Sequence, residues 1–175
     1  MTAASPSGDQ PDLYSYTPML DETLLHLSVL HQNAAIGPLH AWRARCVALM
    51  ANVDEDLLAR AVTPAQVRQL RLSHALLLDE ATMDFCPDSV RKAWASSSLC
   101  EVELGQVDAG QAVLADIDTV CQQSVGAEGW LHWYALLFAA GLLRRSPDAA
   151  RCRHQLSERL IKIWPSASQE VNGRE

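Results

Sequence analysis

The chain has 175 residues, of which 49% are hydrophobic and 20% charged, a composition typical of a globular protein and too apolar for intrinsic disorder. Its formal net charge of −7 argues against nucleic acid as the main partner, because phosphate binding needs a basic surface. No apolar run approaches the roughly 20 residues that cross a bilayer. The longest run, residues 130–143, contains His132 and is followed by Arg144 and Arg145, which predicts a buried helix.

The cysteines carry no metal or disulfide signature. They are odd in number and widely scattered, with no CxxC and no Cys/His cluster: Cys46, Cys86, Cys100, Cys121 and Cys152. This spacing predicts reduced thiols that act as small core residues. The first residues lack the basic and apolar regions of a signal peptide, so none is predicted.

The first third of the chain predicts a lead-in and two helices. Residues 1–16 carry Pro, Ser, Gly and Asp, which predicts a flexible N-terminal segment. A first helix starts near Thr17, with leucines at helical spacing. A second follows Gly37 and either continues past Asn52 or breaks there.

The middle of the chain contains clear helix boundaries. Thr63 followed by Pro64 is typical of an N-cap with proline at the first helical position, which predicts a helix to about Phe85. Asp88 is then predicted to cap a shorter helix that runs through to Leu104.

The last third of the chain contains further helix boundaries. Gly105 is predicted to end the shorter helix, and Asp108 to cap the next one. Residues 130–143 and 149–164 predict the last two helices, and residues 166–175 a tail.

These patterns together predict an all-α protein with about seven helices, since no segment alternates with the period of a β-strand. The predicted helical domain spans residues 17–165. No internal repeat of the tetratricopeptide type is visible. The tryptophans, among them Trp42, Trp94, Trp130 and Trp133, are predicted to be core anchors.

Asp79 and Glu80 interrupt an apolar helical segment, with the sequence LLLDEA at residues 76–81. Adjacent helical residues point about 100° apart, so one apolar stripe cannot avoid both carboxylates. Burying an unpaired carboxylate is costly. The pair therefore either lines a cleft that meets a partner or anchors other parts of the chain by hydrogen bonds. Asp84 lies four residues after Glu80 and shares its face.

Templates for catalysis are absent. The sequence contains no GxGxxG, Walker loop, GxSxG or HExxH motif. His26 and His31 are five residues apart, on different helix faces. Glu80 and Asp84 offer too few oxygen ligands for a cation site. We therefore predict no enzyme, no metal and no cofactor.

Four segments, in order, resemble the DotU/IcmH/TssL family. Residues 73–81 are similar to its "YALCALLDEA" helix. The later matches are Trp94 with the following Ser-Leu step, the sequence Asp108-Ala109-Gly110 where the family has "AGE", and residues 133–142, which resemble "ELYYLCLALGF". Arg144 stands where the family has a second glycine in "GFEGRYR", and Ala112-Val113-Leu114 stand where it has aromatic residues.

The resemblance implies a structural subunit of the type VI secretion system membrane complex, which docks the cytosolic baseplate to the bacterial inner membrane. It implies two packed three-helix bundles in a hook, on the cytoplasmic face. It also implies a transmembrane anchor after residue 175, through which the protein could form a homodimer. The implied partners are the TssM/IcmF membrane subunit and the baseplate components TssK and TssE. The implied partner-binding cleft contains Asp79, Glu80 and Asp84.

Two alternatives belong to other functional classes. One is a generic helical adaptor or chaperone-like interaction domain, which an apolar concave groove would favour. The other is a small helical enzyme that uses Glu80 and Asp84, which a tightly bound divalent metal would favour.

Overall fold

The computed structural model describes residues 16–32, 37–123 and 127–163. Within these ranges it contains α-helices and no β-strand, so the predicted all-α class is confirmed. The predicted lead-in, apart from Tyr16, and the predicted tail lie outside the described residues. No helix in the described ranges is both long and apolar enough to span a bilayer.

Eight helices make up the described part of the chain, one more than the predicted count. They are α1 (Tyr16–His31), α2 (Leu39–Ala59), α3 (Pro64–Phe85), α4 (Asp88–Ala95), α5 (Leu99–Leu104), α6 (Ala109–Gln122), α7 (Glu128–Ala140) and α8 (Ala149–Ile163). Helix α2 runs past Asn52 without a break, which decides between the two possibilities for this segment.

Helix α3 lies at the centre of the packing. It contacts α1, α2, α4, α5, α6 and α7, while α8 packs against α6 and α7. Its start is the predicted one: the Thr63 side chain accepts from the Gln66 backbone N–H, and the Gln66 side chain accepts from the Thr63 N–H. The predicted division into two three-helix bundles stays a prediction.

The predicted single helix from Asp88 to Leu104 is wrong, because the chain forms α4 and α5 with a break at Ser96-Ser97-Ser98. Asp88 is the first helical residue of α4 and not its cap. Ser98 caps α5 by accepting from the Glu101 N–H. Gly105 ends α5 in a left-handed conformation with φ +65°, as predicted.

The predicted helix over residues 130–143 begins and ends earlier than expected. Helix α7 starts at Glu128 and stops at Ala140, where Gly141 adopts φ +112°. The next residues turn back on the core, and Leu143 has φ +56°. Leucine rarely adopts this conformation, so tertiary contacts must hold it there.

Three tryptophans from three helices donate their indole N–H groups to the buried face of α3. The hydrogen bonds run from Trp42 to Thr82 Oγ1 (2.9 Å), from Trp94 to Asp79 Oδ1 (2.7 Å) and from Trp133 to Ser73 Oγ (2.9 Å). All three side chains are buried, and Trp130 is half-buried. A buried indole N–H needs an acceptor, so these bonds give each N–H its partner and fix α2, α4 and α7 against α3.

Candidate functional site

Asp79 anchors the start of helix α5 to α3. Its Oδ1 accepts hydrogen bonds from the Trp94 indole (2.7 Å) and the Leu99 backbone N–H (2.8 Å), and its Oδ2 accepts from the Cys100 N–H (3.0 Å). The residue is 7% exposed. The negative carboxylate thus lies at the positive end of α5 and binds N–H groups that have no partner inside the helix. This geometry favours the anchoring alternative for Asp79.

Glu80 points away from Asp79 and holds the connection between α7 and α8. Its Oε2 accepts a hydrogen bond from the Leu143 backbone N–H at 2.6 Å. Burial raises the pKa of Glu80 from 4.5 to about 7; the Leu143 hydrogen bond and Arg145 oppose this shift, and the nearby carboxylates of Asp84 and Asp79 add to it. The bond to Leu143 explains how this leucine is held at positive φ.

Asp84 holds the same connection one turn further along α3. It forms an ion pair with Arg145, in which the Asp84 side chain is 11% exposed and that of Arg145 is 65% exposed. Glu80 and Asp84 therefore share a helix face, as their spacing predicted. Both contact residues just after α7.

The three predicted site residues thus divide into two groups. Both oxygens of Asp79 are occupied by donors of the chain itself. Glu80 and Asp84 each keep one carboxylate oxygen that accepts no hydrogen bond from other described residues. The assignment of partner binding to these three residues stays a prediction.

Arg43 on α2 supports the Asp79 anchor and was missed by sequence reasoning. Its guanidinium carbon lies 4.4 Å from the centroid of the Trp94 ring, and it donates to Ser97 Oγ at 3.0 Å. It therefore covers the indole that binds Asp79 and fastens the break between α4 and α5. No local pattern pairs Arg43 with Ser97, because 54 positions separate them.

His74 is a second buried polar residue of α3. It is fully buried, and its Nε2 lies 2.9 Å from the hydroxyl of Thr23 on α1. Burial, with a smaller effect from the positive charge of Arg71, lowers the pKa of His74 to about 4. The imidazole is therefore neutral near pH 7. It is a core residue, and its sequence spacing alone did not show this.

No group of three His, Cys, Asp or Glu side chains in the described ranges is placed to hold a metal ion. The five cysteines are free; four are buried and Cys121 is half-buried. What the site offers is a set of carboxylates that bind backbone N–H groups and one arginine. This is the chemistry of a structural anchor.

The fold and the site define an all-α protein whose central helix carries structural carboxylates. The family model described as "Type VI secretion system protein DotU" matches residues 17–173. The chain belongs to this family, which confirms the resemblance carried by residues 73–81 and the later segments. No curated protein and no solved structure gives a significant match.

Proposed function

We propose that this chain is a structural subunit of the type VI secretion system membrane complex that docks baseplate components to the bacterial inner membrane. The observation that carries the proposal is the family match over residues 17–173. The proposed partners are the TssM/IcmF membrane subunit and the baseplate proteins TssK and TssE. In this proposal the chain acts at the cytoplasmic face, by binding and not by catalysis.

The acidic surface beside the α7–α8 connection is the proposed contact for a baseplate partner. The charge of Asp84 is paired with Arg145, and the pKa of Glu80 is about 7, so the ionised fraction of Glu80 supplies the unpaired negative charge at this place. Such charge raises the association rate and selects basic partners more than it raises affinity. Asp79 contributes indirectly in this proposal, because it fixes α5 and α4 against α3.

A generic helical adaptor is the second candidate function. The observation that favours it is a concave groove between α1, α7 and α8, whose lining includes the apolar side chains of Leu24, Phe138 and Leu160. An adaptor of this kind would use the groove and would show no preference for TssK. Binding of TssK therefore distinguishes the two candidates.

The test is calorimetric titration of the full chain with purified TssK, comparing wild type with Glu80→Gln, Glu80→Lys and Glu103→Lys. The glutamine oxygen can still accept from Leu143, so Glu80→Gln removes the ionised fraction of Glu80, whose pKa is about 7, and keeps this hydrogen bond. Glu103 on α5 is exposed, and no other described residue pairs with it, so its variant is a matched control for charge reversal.

We expect Glu80→Lys to weaken TssK binding by about tenfold or more, Glu80→Gln to weaken it less, and Glu103→Lys to leave it unchanged. Thermal melts of each variant show that the fold is intact. Absence of wild-type binding would overturn the docking proposal. An equal effect of Glu80→Lys and Glu103→Lys would assign the effect to net charge and not to this site.

A further inference from the structure

A groove runs along helix α7, with α1 as one wall and α8 as the other. It consists of two open cavities of about 470 Å³ and about 460 Å³, which share Phe138, Ala139 and Arg153 in their linings. Leu24 belongs to the α1 wall and Leu160 to the α8 wall. The shared residues make the two cavities one continuous surface.

The groove has the opposite charge to the rest of the protein. The chain has a net charge of −7, yet no Asp or Glu is among the residues that line either cavity. The charged side chains of the lining are Arg144 and Arg153. Both are exposed. An acidic ligand would meet two cations here and no carboxylate of the lining.

The two arginines differ in their own contacts. The guanidinium carbon of Arg144 lies 5.9 Å from the centroid of the Phe85 ring, which holds this side chain near the end of the groove. Arg153 makes no hydrogen bond or ion pair with another described residue. Its position in both linings places a cation with available donors at the middle of the groove.

The length and the apolar content of the groove match a short helix. Arg153 and Ile161 are eight residues apart on α8, which corresponds to about 12 Å, or about two turns of a partner helix. Ile161 lines the groove and is 71% exposed. Ile161 therefore adds apolar surface to the side of the groove formed by α8, which a partner helix could cover.

We propose that this groove binds an amphipathic helix of a partner protein, with apolar side chains on one face and Asp or Glu beside them. The apolar face would fill the space over Ala139 and Phe138, and the carboxylates would pair with Arg153 and Arg144. Glu80 and Asp84 are not among the residues that line the groove. Failure of this proposal would therefore leave the proposed binding of TssK untouched.

The test measures binding of three hydrocarbon-stapled helical peptides to the full chain by fluorescence anisotropy. One peptide carries Leu on one face and Glu on the other, a second has Lys in place of Glu, and a third has Ser in place of Leu. We expect the Leu/Glu peptide to bind at least about tenfold more tightly than the other two, since it alone matches both the apolar floor and the arginines.

Three variants locate the binding. Arg153→Glu reverses the central charge, and Ala139→Trp fills the groove at an exposed position. Arg68→Glu, at an exposed α3 position outside both linings, is the matched control. We expect the first two variants to weaken binding of the Leu/Glu peptide about tenfold or more and the control to leave it unchanged. Circular dichroism melts confirm the fold of each.

Four results would overturn the proposal. The Glu and Lys peptides could bind equally well, or Arg153→Glu could behave like Arg68→Glu. Sedimentation could show a dimer that Ala139→Trp dissociates, which would assign the groove to a second copy of this chain. Finally, Arg153→Glu could abolish binding to phosphatidylglycerol vesicles while peptide binding stays absent, which would assign the surface to a membrane.

Discussion

At the residue scale, the side-chain direction decides what each carboxylate of α3 does. Asp79 and Glu80 are adjacent, yet Asp79 binds the start of α5 and Glu80 binds the backbone after α7. Asp84 follows Glu80 by one turn and reaches the same connection. One short segment of α3 therefore fastens two distant parts of the chain.

Replacement of Asp79 by Asn should destabilise the protein by about 2–4 kcal/mol. An amide cannot present two acceptor oxygens to three donors, so at least one buried N–H loses its partner. Asp84→Asn should cost less than about 1 kcal/mol, because the Arg145 side chain of that ion pair is 65% exposed. Urea unfolding of both variants checks this, and equal losses would contradict the anchoring role of Asp79.

Glu80→Gln should change how stability depends on pH. The pKa of Glu80 is raised by burial from 4.5 to about 7, so the folded state binds the proton more tightly than the unfolded state. Its contribution to stability is therefore lost as pH rises from about 4.5 to about 7. Glutamine does not titrate, so the free energy of unfolding of Glu80→Gln relative to wild type should rise by ~1–2 kcal/mol between these pH values. The rise is smaller than the full pKa shift implies, because solvent screens part of the effect. Urea unfolding at pH 5 and pH 7.5 measures the difference.

His74→Gln should change the pH dependence of the free energy of unfolding in the opposite direction. The pKa of His74 is lowered from 6.5 to about 4, so the unfolded state binds the proton more tightly. The contribution of the neutral imidazole is lost as pH falls from about 6.5 towards 4. The stability deficit of His74→Gln relative to wild type should therefore shrink by ~1–3 kcal/mol over this range. A deficit that does not depend on pH would show that burial does not control this titration.

At the scale of elements, local signals were predictable and contacts between distant segments were not. The Thr63-Pro64 start of α3 and the Gly105 end of α5 depend on a few neighbouring residues, and both were predicted correctly. The break between α4 and α5 has a local signal that was missed, the cap formed by Ser98 and Glu101, and a long-range part that was not predictable, the contacts of Asp79 and Arg43.

The candidate site shows the same limit. The sequence indicated that Asp79 and Glu80 could not both be ordinary surface charges, and it indicated that Glu80 and Asp84 share a face. The sequence could not show which residues these side chains contact, because Leu143, the partner of Glu80, lies 63 positions away along the chain. The end of α7 was misplaced because the apolar pattern continues through Leu143, although Gly141, in a left-handed conformation, is the local signal for the helix end. Glu80 then binds Leu143 outside the helix.

Gly141→Ala should destabilise the protein more than Gly105→Ala does. A Cβ at either position has no atom within 4 Å, so the cost is that of the backbone alone. Gly105 has φ +65°, close to the left-handed minimum that other residues reach at a cost of about 1 kcal/mol, whereas Gly141 at φ +112° lies well outside it. We expect about 1 kcal/mol for Gly105→Ala and about 2–3 kcal/mol for Gly141→Ala in denaturant unfolding. The reverse order would contradict this explanation of the end of α7.

At the scale of the whole molecule, α3 organises the fold, because α1, α2, α4, α5, α6 and α7 all pack against it. Three indole N–H groups and the Asp79 anchor place its neighbours around it. Glu80 and Asp84 contact the α7–α8 connection at Leu143 and Arg145, and Arg144 of the same connection lines the groove.

The most direct test of the docking account is hydrogen exchange of the full chain, measured by mass spectrometry with and without saturating TssK. The account predicts slower exchange in the α7–α8 connection, residues 141–148, and in the second half of α3, with exposed α5 unchanged around Glu103. TssK that binds without slowing exchange in residues 141–148 would contradict the proposed contact, and TssK that does not bind at all would contradict the docking function itself.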